Sequence, residues 1–73
     1  MFTWFAIHRN KKYAKEYNWD PRWLGVEEVN ATFVARVKEL QKRYGIKQDG
    51  LCRDLTYKLL LLEHLNDVRD KKY

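Results

Sequence analysis

Three side chains supply the chain's soft metal ligands and its single thiol: His8, Cys52 and His64. They occur singly. A zinc site draws on closely spaced pairs of such ligands, and none is present. Cys52 and His64 can in principle form a nucleophile and its base. The thiol, however, falls in a connector, the imidazole lies more than two helical turns further on, and no motif supplies an oxyanion hole. Glu27, Glu28 and Glu39 show no pairing suited to acid–base hydrolysis. There is no glycine-rich phosphate loop. These residue types assign no catalytic or metal-binding side chain and imply no cofactor.

Charge says more. The net charge is +5, which favours anionic partners such as nucleic acid, anionic lipid or an anionic wall polymer, and equally fits a solvated basic surface. At 73 residues the chain makes one domain. A domain of this size buries only about 60% of its unfolded surface, so its core must be dense. The 45% hydrophobic and 15% aromatic fractions supply one. The 34% charged fraction, with no apolar run longer than residues 59–62, gives no membrane span, which needs ~20 apolar residues. One cysteine forms no internal disulfide. The start, MFTWFAIHRNKK, is not a secretory signal, because its apolar part precedes the charge and no small-residue cleavage site follows. Action outside the cytoplasm then requires another route of export or a longer chain.

Three helical segments and one short helical turn must position whatever site exists. The first covers roughly residues 10–17, with Asn10 placed to cap it and Tyr13, Ala14 and Tyr17 on one face. The preceding FTWFAI favours an earlier start over an extended lead-in. In NWDPRWLGV, Asp20 and Pro21 read as a cap and first helical position, and Gly25 as a stop. Trp19, Trp23 and Leu24 in this turn read as core or lid. The second helix covers about 32–44, capped by Asn30 or Thr32. Phe33, Val37, Leu40 and Tyr44 form its inner face, and Gly45 its left-handed stop. The third covers about 54–68 with Asp54 as cap. Leu55, Leu59 and Leu62, with Leu65 or Asn66, make its stripe, and Leu60 and Leu61 widen it, which predicts the most buried helix. The charged end DVRDKKY is expected to fray.

The connector GIKQDGLCRDLT is too specific to be slack. Ile46 and Leu51 are apolar plugs in a polar loop. Asp49-Gly50 is a tight-turn dipeptide in which the aspartate bonds nearby backbone and the glycine takes positive φ. Thr56 lies in the first turn of the last helix, where its hydroxyl can reach loop backbone.

VKELQKRYGIKQDGLCRDLTYKLL resembles the peptidoglycan-binding domain of bacterial and phage cell-wall hydrolases. Val37, Leu40, Gln41, Gly45, Ile46, Asp49, Gly50, Leu51 and Thr56 fall in register with that family's pattern. NKKYAKEYNWDPRWLGVEEVN is similar to the lead-in found where such a module precedes an amidase domain. The resemblance covers roughly residues 10–65. One departure is Arg53, where the family has glycine, followed by Asp54 where proline is frequent. Arg53 must either take an ordinary φ or sit there under strain, and beside the groove it can alter ligand preference.

The resemblance implies a small all-α three-helix bundle with an extra helical turn and a core over about residues 10–68. It implies a non-catalytic module that holds an endolysin or amidase at the wall. The ligand would lie in a shallow groove, with Tyr44, Lys47, Gln48, Arg53 and Tyr57 as its candidate contacts. Cations would pair with stem-peptide carboxylates, and tyrosines would offer flat amphipathic faces to sugars. Each of these five also fits an ordinary place on the surface or at the edge of the core. Gln41, Gly45, Asp49, Gly50, Leu51 and Thr56 go to loop structure. Action at the wall without a recognisable signal peptide suits a phage endolysin, made in the cytoplasm and released through a membrane lesion. It suits a cytosolic DNA binder equally well. A helix-turn-helix DNA-binding protein is thus a second reading, against which stand a long connector and a mostly leucine recognition helix. A phage structural or protein-interaction module with the same fold is a third.

Overall fold

Residues 2–17 contain neither glycine nor proline, and Ala6, Asn10, Tyr13, Ala14 and Tyr17 recur at steps of four, three, one and three. That spacing keeps one face turned to the core. In the computed structural model, which describes the backbone of residues 2–70 and the side chains of residues 3–66, the first helix, α1, accordingly spans Phe2–Tyr17. Asn10 is therefore not a cap. It sits in mid-helix and is fully buried. The helix ends where Asn18 takes a left-handed φ of 59°, a conformation asparagine tolerates, and the Trp19 amide turns back onto the Ala14 carbonyl at 3.2 Å.

The short turn forms as expected. Asp20 accepts from the Arg22 amide at 2.9 Å, Pro21 opens the 3₁₀ turn Pro21–Leu24, and Gly25 closes it at φ 76°. Asn30, rather than Thr32, caps the next helix, its side chain accepting from the Phe33 amide. That helix, α2, spans Ala31–Arg43, and α3 spans Asp54–Asp70. No strand occurs among the described residues. The protein is an all-α three-helix bundle with one extra helical turn. Of the charged tail expected to fray, residues 67–70 continue α3 as helix, and residues 71–73 lie outside the described set.

One core joins the elements. Phe33, Val37 and Leu40 of α2 pack with Trp19, Val26, Val29, Cys52 and Leu60. Trp19 lies flat on Phe33, ring centroids 5.0 Å apart. Fully burying a side chain such as Phe33 contributes about 2–3 kcal/mol.

The most buried helix is α2, not α3. Leu55, Leu62 and Leu65 remain 53%, 48% and 52% exposed, and the inner line of α3 runs through Thr56 and Leu60 instead. Two anchors turn the helix this way. Thr56 accepts a hydrogen bond from Gln41 at 3.0 Å, and His64 stacks on Trp23 at 4.4 Å. Both lie on the Leu60 side, so the leucine stripe is rotated outward. Among the described residues no helix is long and apolar enough to cross a membrane.

Candidate functional site

The site starts at the end of α2. Tyr44 leaves helical geometry, Gly45 takes φ 69°, and the Gly45 and Ile46 amides bond back to the Lys42 and Gln41 carbonyls. This satisfies two of the carbonyls that a helix end leaves open. The chain then runs through residues 46–53 without secondary structure, partly beneath the surface. A buried loop must still find partners for its backbone.

Side chains from three elements provide them. Gln41 of α2 accepts from the Gly50 amide at 2.9 Å and donates to Asp49 Oδ1, Thr56 Oγ1 and the Leu51 carbonyl at 2.9, 3.0 and 3.4 Å. Asn10 of α1 donates to the Gly50 carbonyl at 2.9 Å and accepts from the Cys52 amide at 2.7 Å. The Trp19 indole donates to the Cys52 carbonyl at 3.1 Å, and Asp49 accepts from the Leu51 amide at 2.9 Å. Every backbone N–H and C=O of Gly50, Leu51 and Cys52 is thereby bonded to a side chain. Among the described residues no buried side-chain polar atom lacks a partner. Asp49 and Gly50 play the expected roles. Thr56 does not reach loop backbone; its hydroxyl meets the Gln41 amide instead.

Gly50 is where this clamp is tightest. Its φ is 74°, and a Cβ placed there would lie 2.9 Å from Val34 Cγ1 and 3.2 Å from Lys38 Cε. Gly50→Ala combines left-handed strain with overpacking and is expected to destabilise the fold by about 2–4 kcal/mol in urea titration. Gly45→Ala, where a Cβ meets nothing within 4 Å, carries the strain alone and should lose less.

Arg53 takes the first of its two alternatives, because its φ is not positive. The left-handed position falls one residue later, on Asp54 at φ 45°. Asp54 does not cap α3 either. The Arg53 carbonyl accepts the first helical amides, from Thr56 and Tyr57, while the Asp54 carboxylate accepts the Tyr17 phenol at 2.8 Å. That bond raises the Tyr17 pKa above its ordinary value. The Arg53 guanidinium stays exposed, 3.9 Å from the Asp54 carboxylate, too long for a hydrogen bond.

Beside this frame lies a shallow groove of about 200 Å³. Ile46 and Leu55 give it apolar walls, Gln41, Asp49 and Thr56 form its fixed floor, and Lys47, Arg53 and Asp54 border it. Of the five candidate contacts, Lys47 and Arg53 line this groove. Gln48 instead lines a neighbouring concavity of about 450 Å³, with Phe5, Lys38, Lys47, Asp49 and Leu51. The two tyrosines are engaged elsewhere. The Tyr44 hydroxyl donates to Glu63 at 2.7 Å, which raises its pKa, and Arg43 holds the other Glu63 oxygen at 2.8 Å. Tyr57 is half-buried and packs on Tyr17 at 5.1 Å. A larger hollow of about 590 Å³, lined by Trp19, Asp20, Arg22 and Trp23 among others, lies over the 3₁₀ turn.

The remaining chemistry-bearing side chains are spoken for. Cys52 is fully buried, and desolvation pushes its thiol up to about 12, so it is protonated at neutral pH. His64 is stacked on Trp23. Among the described residues no group of three or more His, Cys, Asp or Glu is placed to hold a metal ion.

Asn10 and Trp19 are the clamp residues that sequence reasoning missed, since their loop partners lie 40, 42 and 33 residues away. One signal was available for the first. Asn10 is the polar residue on an otherwise apolar face, between Ala6 and Tyr13, and a buried amide in that place needs partners. No family model, no curated protein and no solved structure matches the chain.

Proposed function

We propose that the protein is a non-catalytic peptidoglycan-binding module that holds an attached endolysin or amidase at the bacterial wall. The observation that carries this reading is the groove beside residues 46–53. Its floor is held by the Gln41 network, while Lys47 and Arg53, the latter 3.9 Å from the Asp54 carboxylate, stand exposed at its border. A rigid groove spends little binding energy on ordering itself. Apolar walls at Ile46 and Leu55 suit the methyl groups of a stem peptide, and the two cations suit its carboxylates. Because the tyrosines are engaged elsewhere, the reading favours the peptide part of the wall over stacked sugars.

The helix-turn-helix alternative draws less support. The outward face of α3 is mostly apolar, with Leu55, Leu62 and Leu65 beside Lys58 and Asn66, whereas a reading helix needs a run of polar donors there.

Cosedimentation with purified insoluble peptidoglycan, over a salt series and beside duplex DNA, tests the proposal. Wall binding should persist at moderate salt and weaken about tenfold in Arg53→Ala or Lys47→Ala. Binding that disappears with modest salt, or that ignores both substitutions, would reduce the interaction to charge attraction. DNA binding that discriminates sequence, without wall binding, would replace the proposal.

A further inference from the structure

The outward face of α1 is unlike the rest of the surface. Its inner face holds Ala6, Asn10, Tyr13 and Tyr17. Its exposed residues are Trp4, Phe5, His8, Arg9, Lys11, Lys12, Lys15 and Glu16, all within one arc of the helix. Trp4 is 73% exposed and Phe5 45%, although both are large apolar rings. Along the axis the order is apolar first, cationic second. Residues 2–7 carry no charged side chain, whereas 8–15 carry Arg9, Lys11, Lys12 and Lys15 and no acid. Four of the five net positive charges of the chain thus fall in its first fifteen residues.

The surroundings continue the pattern. The Arg9 guanidinium lies 4.9 Å from the Phe5 ring centre, and His8 stacks on Trp4 at 5.9 Å. On the other side of Phe5, the 450 Å³ concavity has Phe5 and Leu51 as apolar wall and Lys38 and Lys47 as cationic border.

We infer that this end of α1 docks on an anionic lipid surface, with Trp4 and Phe5 entering the headgroup boundary and Arg9, Lys11, Lys12 and Lys15 contacting lipid phosphates. Lys15 stands about 16 Å along the helix from Trp4, so an aromatic tip with a basic collar matches an apolar layer edged by negative charge. A single-stranded nucleic acid needs aromatic faces interleaved with cations along one track. Here the rings are gathered at one end, and each already has one partner on its face. The inference stands apart from wall binding, since it uses none of the Arg53 side of the groove.

Flotation of the protein with phosphatidylglycerol-rich vesicles and with pure phosphatidylcholine vesicles, at about 0.1 M salt, tests it. Binding to the anionic vesicles should be at least about tenfold tighter. Trp4→Ser should weaken it about tenfold, and Lys11→Glu or Lys12→Glu about fivefold or more each. All three sites are exposed, so unchanged circular dichroism will establish that the variants fold. Arg53→Ala should leave vesicle binding intact, which separates this result from failure of the wall proposal. Absence of anionic-vesicle binding would overturn the inference. So would binding indifferent to Trp4→Ser, binding lost instead in Leu62→Ser, or single-stranded DNA binding through the same face without vesicle binding.

Discussion

Asn10→Ala should unfold a large part of the protein. The side chain is fully buried, and its amide satisfies the Gly50 carbonyl and the Cys52 amide, two backbone groups that water does not reach. Alanine leaves both without a partner. At about 1–3 kcal/mol for each orphaned group, the expected loss is about 2–6 kcal/mol. A domain of this length has a total stability of about 4–11 kcal/mol, so the loss is a large share of it. The urea midpoint should fall sharply, and amide exchange at Gly50 and Cys52 should accelerate. Asn10→Asp offers no rescue. The carboxylate still accepts from Cys52 but cannot donate to Gly50, and it buries a charge. A loss below about 0.5 kcal/mol for Asn10→Ala would mean that α1 does not hold the loop.

Gln41 is the second large effect, and it has a pH signature. Gln41→Leu removes the acceptor for the Gly50 amide and the donor for Asp49 and Thr56. The expected cost is about 2–4 kcal/mol. Gln41→Glu keeps the acceptor but sets a carboxylate against Asp49 Oδ1, where the amide nitrogen sat at 2.9 Å. Two carboxylates at that range raise one folded-state pKa above its unfolded value. Between those two values the folded state holds the extra proton, so stability falls as pH rises through that window. Gln41→Glu should therefore be weak at pH 7 and recover on acidification, while Gln41→Leu should not recover. Combined with Asn10→Ala, either substitution should be non-additive, because both side chains act on Gly50. Peptidoglycan binding under the proposed function should also fall in Gln41→Leu, because the groove floor loses its fixed geometry.

These two residues show where sequence reasoning reached its limit. Gln41 was legible as a loop residue because it stands in a short motif with Gly45, Asp49, Gly50 and Thr56, whose partners lie within about one loop length. Asn10 was read as a helix cap because asparagine is a good cap, although its place between Ala6 and Tyr13 on an apolar face was a local signal against that reading. The contact that gives it its place closes a span of 40 residues, which no local pattern encodes. The third helix shows the same limit in its rotation. A run of leucines fixes that a helix forms and that some of it is buried, but five leucines in eight positions wrap most of the circumference and leave the phase open.

By itself, the sequence determined the class and the punctuation. Helical periodicity, the Asp20-Pro21 start and the stops at Gly25 and Gly45 are local consequences of side-chain sterics and backbone hydrogen bonding. So was the Asp49-Gly50 turn, since an aspartate bonding two residues ahead and a glycine at positive φ need no distant partner. Tertiary structure alone decided that α2 is the central helix, and that Leu55, Leu62 and Leu65 of α3 face outward while Leu60 faces the core. It also decided that Lys47 and Arg53 share a groove that Tyr44 and Tyr57 do not line. Each of these depends on which buried polar groups find one another across the chain. An amide such as Asn10 or Gln41 costs too much to bury unpaired, so its partners, rather than the more numerous leucines, fix how the helices turn.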